Sequence, residues 1–249
     1  MKAFVTGGAG FIGSNLTDRL ISAGHEAVVY DNFSTGRDEF LRDALASGRL
    51  EIVRGDILDE AHLSKAMRSC DVVFHIAANA DVRFGLVNPR RDIEQNTLAT
   101  FHVLQAMRAN HVDRIVFSST GSIYGEPDVF PTPEDAPFPV QTSMYGASKL
   151  ACEGLIAAYC EGYGMRGYIF RFVSILGERY SHGHVFDFVR SLRADPHHLR
   201  VLGNGKQRKS YLYVRDCVEA IFTGFEKAGG KVNIFNVGAE EYCEVMDSV

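Results

Sequence analysis

The sequence predicts an α/β chain built on a doubly wound parallel sheet, and three observations predict it. Apolar runs near 2–6, 27–30, 50–53, 71–77, 114–118, 166–172 and 232–237 alternate with amphipathic stretches near 11–23, 59–69, 89–110, 143–162, 183–194 and 214–227. Alternation of this kind means parallel strands joined by helical crossovers, with both faces of the sheet covered. The first run passes directly into Thr6-Gly7-Gly8-Ala9-Gly10-Phe11-Ile12-Gly13, and the second ends on an acid, Asp31. A glycine turn from strand to helix followed by an acidic second strand end is the signature of a dinucleotide cradle.

Taken in order, the first strand turns on Gly7, Gly10 leaves room for a pyrophosphate against the backbone, and Gly13 lets helix and strand pack closely. The helix that follows carries Phe11, Ile12, Leu16 and Leu20 on its apolar face, and its unpaired first amides and positive dipole end face the phosphates. Asp31 stands 18 residues beyond Gly13, where a carboxylate accepts hydrogen bonds from the adenosine ribose. It repels a 2′-phosphate, which favours NAD over NADP; Arg37 is the one nearby residue that argues otherwise. The third strand leads into Gly55-Asp56-Ile57, and the fourth ends on His75-Ile76-Ala77-Ala78.

The fifth strand ends on the hydroxyl cluster Ser118-Ser119-Thr120-Gly121-Ser122, placed where open α/β sheets bind ligands. Residues 126–142 hold five of the seven prolines and show no period, so they predict a long loop walling a binding site. The next helix starts with Tyr145 and Lys149, four apart and therefore on one face. A phenol is a poor base near neutral pH, but a neighbouring ammonium and the positive charge of an oxidised nicotinamide both favour phenolate. Tyr145 can then exchange a proton with a carbinol while Thr120 holds the same oxygen and Lys149 holds the nicotinamide ribose.

Composition bounds the rest. At 249 residues, with 46% hydrophobic and 23% charged residues, the chain is long enough for a substantial core. A net charge of -5 offers no basic face to nucleic acid. No apolar run reaches the length of a membrane span, and the five cysteines show no C-x-x-C spacing, so a cytoplasmic protein with reduced thiols is expected. His182-Gly183-His184 and His197-His198 lack a carboxylate or cysteine at ligand spacing, and no metal site is expected.

In these motifs, from Met1 to about Gly238, the chain resembles the extended short-chain dehydrogenase/reductase family, and within it the nucleotide-sugar epimerases. The resemblance implies a Rossmann fold binding NAD over residues 1–172, interleaved with a smaller nucleotide-sugar domain over 173–249. It implies cofactor contacts from Asn32, Ser34, Gly36, Asp56, Ile57, Ala77, Ala78, Asn96 and Ser118, beside those already named. The implied reaction inverts C4 of a UDP-hexose through a 4-keto sugar, without net redox. Relatives that expel water carry Asp-Glu after the threonine, and decarboxylating relatives a Glu one residue further on; here Gly121 and Ser122 stand in those places.

On the substrate side the resemblance implies contacts from Ser122, Ser174, His184, Val185, Arg200 and Leu202, with Arg208 or Lys209 on the diphosphate. Ser174 departs from the family's usual Asn, a longer donor. The family continues beyond Val249, so the substrate domain is expected to be incomplete, and residues 240–246 read as a helix beginning. Helices 89–110 and 143–162 are long enough for the bundle of a homodimer. Two alternatives stay open: an epimerase for a uronic acid or N-acetylhexosamine nucleotide, and a truncated binder of NAD and nucleotide sugar without turnover.

Overall fold

A computed structural model describes residues 1–79, 85, 87–138, 140–201 and 204–249. In chain order the first half gives β1 (Lys2–Thr6), α1 (Phe11–Ser22), β2 (Glu26–Asp31), α2 (Arg42–Ala46), β3 (Leu50–Arg54), α3 (Glu60–Ala66), β4 (Val72–His75), α4 (Pro89–Asp92), α5 (Ala99–Ala109) and β5 (Arg114–Thr120). The second half gives α6 (Met144–Tyr163), β6 (Arg166–Phe172), β7 (Ser174–Leu176), α7 (His184–Ala194), β8 (Arg208–Lys209), β9 (Tyr211–Tyr213), α8 (Val214–Lys227), β10 (Val232–Val237) and β11 (Cys243–Glu244).

Seven strands form one sheet in the order β10-β6-β5-β4-β1-β2-β3, and every pairing in it is parallel. The order reverses between β1 and β4, which opens the ligand crevice of a doubly wound sheet at their carboxyl ends. Period-two alternation divides each strand between two cores. Ala3, Val5, Ala27 and Val29 pack with α1, α2 and α8, whereas Phe4, Val28 and Tyr30 pack with α3, α5 and α6.

Two small ladders lie outside this sheet. β7 pairs with β9 in parallel, and β8 pairs with β11 in antiparallel fashion. β10 and α8 instead join the main sheet and its cover, so the last 77 positions serve both layers.

Three expectations are corrected. The fifth strand runs two residues further than expected, through Thr120, so Ser118, Ser119 and Thr120 all lie inside the sheet. The helix expected over 89–110 is interrupted by a π-helical stretch, Ile93–Leu98, between α4 and α5. Widening the helix there turns Asn96 inward, where it is 1% exposed. The tail is not a helix over 240–246: pairing with β8 holds Cys243–Glu244 extended, and only a 3-10 turn, Val245–Ser248, follows.

Among the described residues no helix is long and apolar enough to cross a membrane.

Candidate active site

The cradle forms because its glycines leave no room for anything else. Gly7 has φ +68, and a Cβ there would lie 2.7 Å from the Ala77 backbone, so the loops after β1 and β4 touch. A Cβ on Gly13 would lie 2.1 Å from the Gly7 carbonyl oxygen, which fixes α1 against the turn. Around Gly10 the nearest atom is that same oxygen, at 3.2 Å, and no side chain caps the helix. The first amides of α1, at Phe11, Ile12 and Gly13, are thus uncapped by any side chain and suit a diphosphate. The Phe11 ring itself turns into the core against Tyr180, at 5.4 Å.

Asp31 ends β2 beside the glycine turn. Its Oδ2 accepts the Ala9 amide at 2.9 Å and its Oδ1 the Phe33 amide at 2.8 Å. Burial pushes its pKa up while these two amides pull it down, so the carboxylate both shapes the turn and keeps lone pairs for a ribose. Asn32 accepts the Ser34 amide at 3.0 Å, and Gly36 is required because a Cβ would meet Ala9 at 2.8 Å. Arg37 pairs with Glu39 at 3.2 Å, which gives its charge another partner than a 2′-phosphate. Asp56 accepts the Leu58 amide, its carbonyl accepts the Tyr30 hydroxyl, and Ile57 is buried beside them.

A buried chain of polar groups joins this cradle to α6. The Thr6 hydroxyl accepts the Ala77 amide at 3.2 Å and lies 2.8 Å from His75 Nδ1, while His75 Nε2 lies 3.0 Å from the Thr100 hydroxyl. Thr100 donates to Cys152, and Cys152 donates to the Ser148 carbonyl. With the Thr100 proton spent on Cys152, His75 donates from Nε2 and accepts at Nδ1. Full burial pushes its pKa down to about 3, so it is a neutral spacer. Asn96 adds a second tie, accepting the Asn79 amide and donating to Ser148 Oγ, both at 2.9 Å. Ala78, between Ala77 and Asn79 in the chain, is exposed.

Ser143 caps α6 by accepting the Gly146 amide at 3.0 Å. A Cβ on Gly146 would come within 2.8 Å of the Ser122 carbonyl, so the helix start fits directly on the turn Gly121–Tyr124. That contact brings Tyr145 to Thr120, whose side chain hydrogen-bonds the phenol and also accepts the Ser122 amide. Lys149 is 1% exposed, donates to the Ser118 carbonyl at 2.7 Å and lies 4.5 Å from the Phe117 ring centre. The Ser118 hydroxyl donates to the His75 carbonyl.

Burial is the largest influence on both side chains. Desolvation pushes Tyr145 up to about 12, against the Thr120 hydrogen bond, and pushes Lys149 down to about 8. For the phenol, desolvation outweighs the Thr120 hydrogen bond and favours the protonated form.

On the substrate side, Ser174 opens β7 and its amide donates to the Ser210 carbonyl. His184 Nε2 lies 2.8 Å from the Tyr211 hydroxyl, and Lys209, on the strand before Tyr211, has its pKa pushed down by burial. Val185 follows in the first turn of α7. Arg200 is exposed, and Arg208 lies over the Tyr242 ring at 5.0 Å, apart from the His184 cluster. Leu202 lies outside the described residues. His198 pairs with Asp195 at 3.0 Å, and no cluster of metal-ligating side chains occurs among the described residues.

Sequence reasoning gave no individual role to Tyr211 or to the buried group around Arg171. The signal was present: an arginine inside the apolar strand Ile169-Phe170-Arg171-Phe172, and Glu153 one helical turn beyond Lys149.

Residues 3–238 match the NAD dependent epimerase/dehydratase family. The chain is 36% identical over 245 residues to a UDP-glucose 4-epimerase of Mycolicibacterium smegmatis, covering 96% of this chain and 77% of that protein. A crystal structure of a UDP-galactose 4-epimerase superposes with a TM-score of 0.89 at 41% identity, covering 99% of this chain and 80% of the other. A mutant UDP-glucuronic acid 4-epimerase from Bacillus cereus, solved with a fluorinated UDP-sugar and NAD, superposes with a TM-score of 0.90 at 28% identity, covering 99% and 80%. These relatives differ in the sugar they are named for. Cradle, hydroxyl cluster, tyrosine-lysine helix and family match agree: this chain belongs to the NAD-dependent epimerase/dehydratase family of nucleotide-sugar enzymes, with NAD as its cofactor.

Proposed function

We propose that the protein inverts C4 of a nucleotide-bound hexose, interconverting UDP-glucose and UDP-galactose through the 4-ketone. The observation that carries this reading is Tyr145 set against Thr120 at the carboxyl end of β5, with Lys149 one turn behind it. NAD, when bound, supplies the reversible hydride acceptor. Tyr145 takes the proton of the C4 hydroxyl and returns it after the sugar has turned over, and Thr120 fixes that oxygen. Lys149 spends one proton on Ser118 and keeps two for the nicotinamide ribose. Its charge and that of the oxidised ring together oppose the desolvation that holds the phenol protonated.

Gly121 and Ser122 place no acid or base beside the threonine, which favours epimerisation over loss of water. Residues 173–249 supply the nucleotide side, with Ser122, Ser174, His184, Val185, Arg200 and Leu202 around the sugar nucleotide. Between Arg208 and Lys209, the half-buried ammonium of Lys209 is the better diphosphate holder, since burial without a carboxylate favours an anionic partner. The reading includes a homodimer built on α5 and α6, working in the cytoplasm, where five free thiols stay reduced.

The test incubates the protein and NAD with UDP-glucose, UDP-N-acetylglucosamine and UDP-glucuronic acid separately and separates the products by chromatography. UDP-galactose from UDP-glucose is expected as the fastest conversion. Faster conversion of either other sugar nucleotide moves the assignment to that sugar, and no conversion of any of them with NAD retained leaves a binding protein.

A further inference from the structure

We infer that Arg171 is a positioning residue for the sugar side of the active site: it latches the proline-rich loop 126–142 and the catalytic helix to one row of the sheet. The inference rests on the reaction proposed above for its kinetic part and on geometry for the latch. Ser119, Arg171 and Asn236 stand in register on β5, β6 and β10, forming a row across the carboxyl end of the sheet. Arg171 is 2% exposed, and its guanidinium is used in three directions.

Toward α6, Nη2 donates to Glu153 at 2.8 Å, and the other carboxylate oxygen of Glu153 accepts the Ser119 hydroxyl. Toward the turn after β5, Nη1 donates to the Tyr124 hydroxyl at 2.5 Å. Toward the loop, the same nitrogen donates to the Glu134 carbonyl at 2.8 Å. Tyr124 then donates to Asn236 at 2.8 Å, and Asn236 donates from its amide to Glu134 and from its side chain to the Thr132 carbonyl, each at 2.8 Å. Phe138 stacks on Tyr124 and lies 5.2 Å from the guanidinium.

Two of the anchored residues stand close in sequence to residues of the proposed reaction, and the others belong to the loop between them. Ser119 precedes Thr120, Glu153 follows Lys149 by one turn, and Thr132, Glu134 and Phe138 belong to the loop that follows the Thr120 turn. A planar fork spreads five donors over three nitrogens and reaches all three partners at once, whereas a lysine's donors sit on a single nitrogen. Because the loop is the part held at the far end of the fork, loosening it changes how the sugar nucleotide is held more than how Tyr145 moves its proton.

The experiment uses two variants that avoid stranding a buried charge. Tyr124→Phe removes only the hydroxyl between Arg171 and Asn236, and the pair Arg171→Met with Glu153→Met removes both buried charges together, which a core tolerates better than removing one. Hydrogen exchange at the amides of Glu134, Asp135 and Ala136 is measured alongside kcat, KM for UDP-glucose and retained NAD. Both variants are expected to keep NAD and to speed loop exchange; Tyr124→Phe raises KM roughly tenfold with kcat changed by less than about twofold, the worth of one hydrogen bond to a charged group. Unchanged exchange and unchanged KM in variants that fold and keep NAD would overturn the latch, as would a fall in kcat at constant KM. Absence of turnover in the unmodified protein would count against the proposed reaction, and the exchange measurement would still decide the latch.

Discussion

Burial pushes Tyr145 up to about 12 and Lys149 down to about 8. Spacing in the sequence put the two side chains on one helix face, but desolvation depends on what covers that face, so the direction of the phenol's shift was not legible there. His75 makes the same point for stability. It was read only as part of an apolar strand end, yet it sits neutral between two threonines with its pKa lowered from 6.5 to about 3. Since the folded chain binds this proton less readily than the unfolded one, the stability involved is full above pH 6.5 and is lost as pH falls toward about 3. Urea unfolding between these limits is expected to show about 1.4 kcal/mol of loss per pH unit from this one group. His75→Gln cannot titrate and is expected to flatten the curve; parallel curves for the two proteins would contradict the spacer role.

Elements with a strong period were legible. The run over 166–172 became β6, the run over 232–237 became β10, and the amphipathic stretch over 214–227 became α8. What escaped was structure fixed by long-range pairing. β8 and β11 are two residues each and exist only because Arg208 pairs with Glu244 and Lys209 with Cys243. The π-helical stretch escaped for a similar reason, since its inward Asn96 answers to Asn79 and Ser148 on other elements. The glycine turn shows the opposite case, where a local requirement is written in the residue. Gly13→Ala would drive a methyl to within 2.1 Å of the Gly7 oxygen, so α1 must move off the turn. A stability loss of about 1–3 kcal/mol by chemical denaturation is expected, with retained NAD falling alongside. Normal NAD retention in a folded Gly13→Ala protein would remove the cradle from the cofactor site.

Across the whole molecule, strand order and chemistry coincide. The crevice between β1 and β4 receives the cradle, β5 brings Thr120 beside it, and α6 returns over the sheet to set Tyr145 against Thr120. The glycine turn, Asp31 and Thr120 were legible because each stands where a strand ends or a helix begins. The segments expected to carry the sugar nucleotide were less so: the β7–β9 ladder and the contact of His184 with Tyr211 join residues far apart in the chain, and no local pattern announces them. In the proposed reaction Tyr145 moves the proton while the cradle independently holds the cofactor. The direct measurement compares the unmodified protein with Tyr145→Phe for conversion of UDP-glucose to UDP-galactose and for NAD retained after gel filtration. A loss of roughly 10²-fold or more in kcat with undiminished NAD is predicted, in line with general acid-base catalysis; near-full activity in Tyr145→Phe would contradict it.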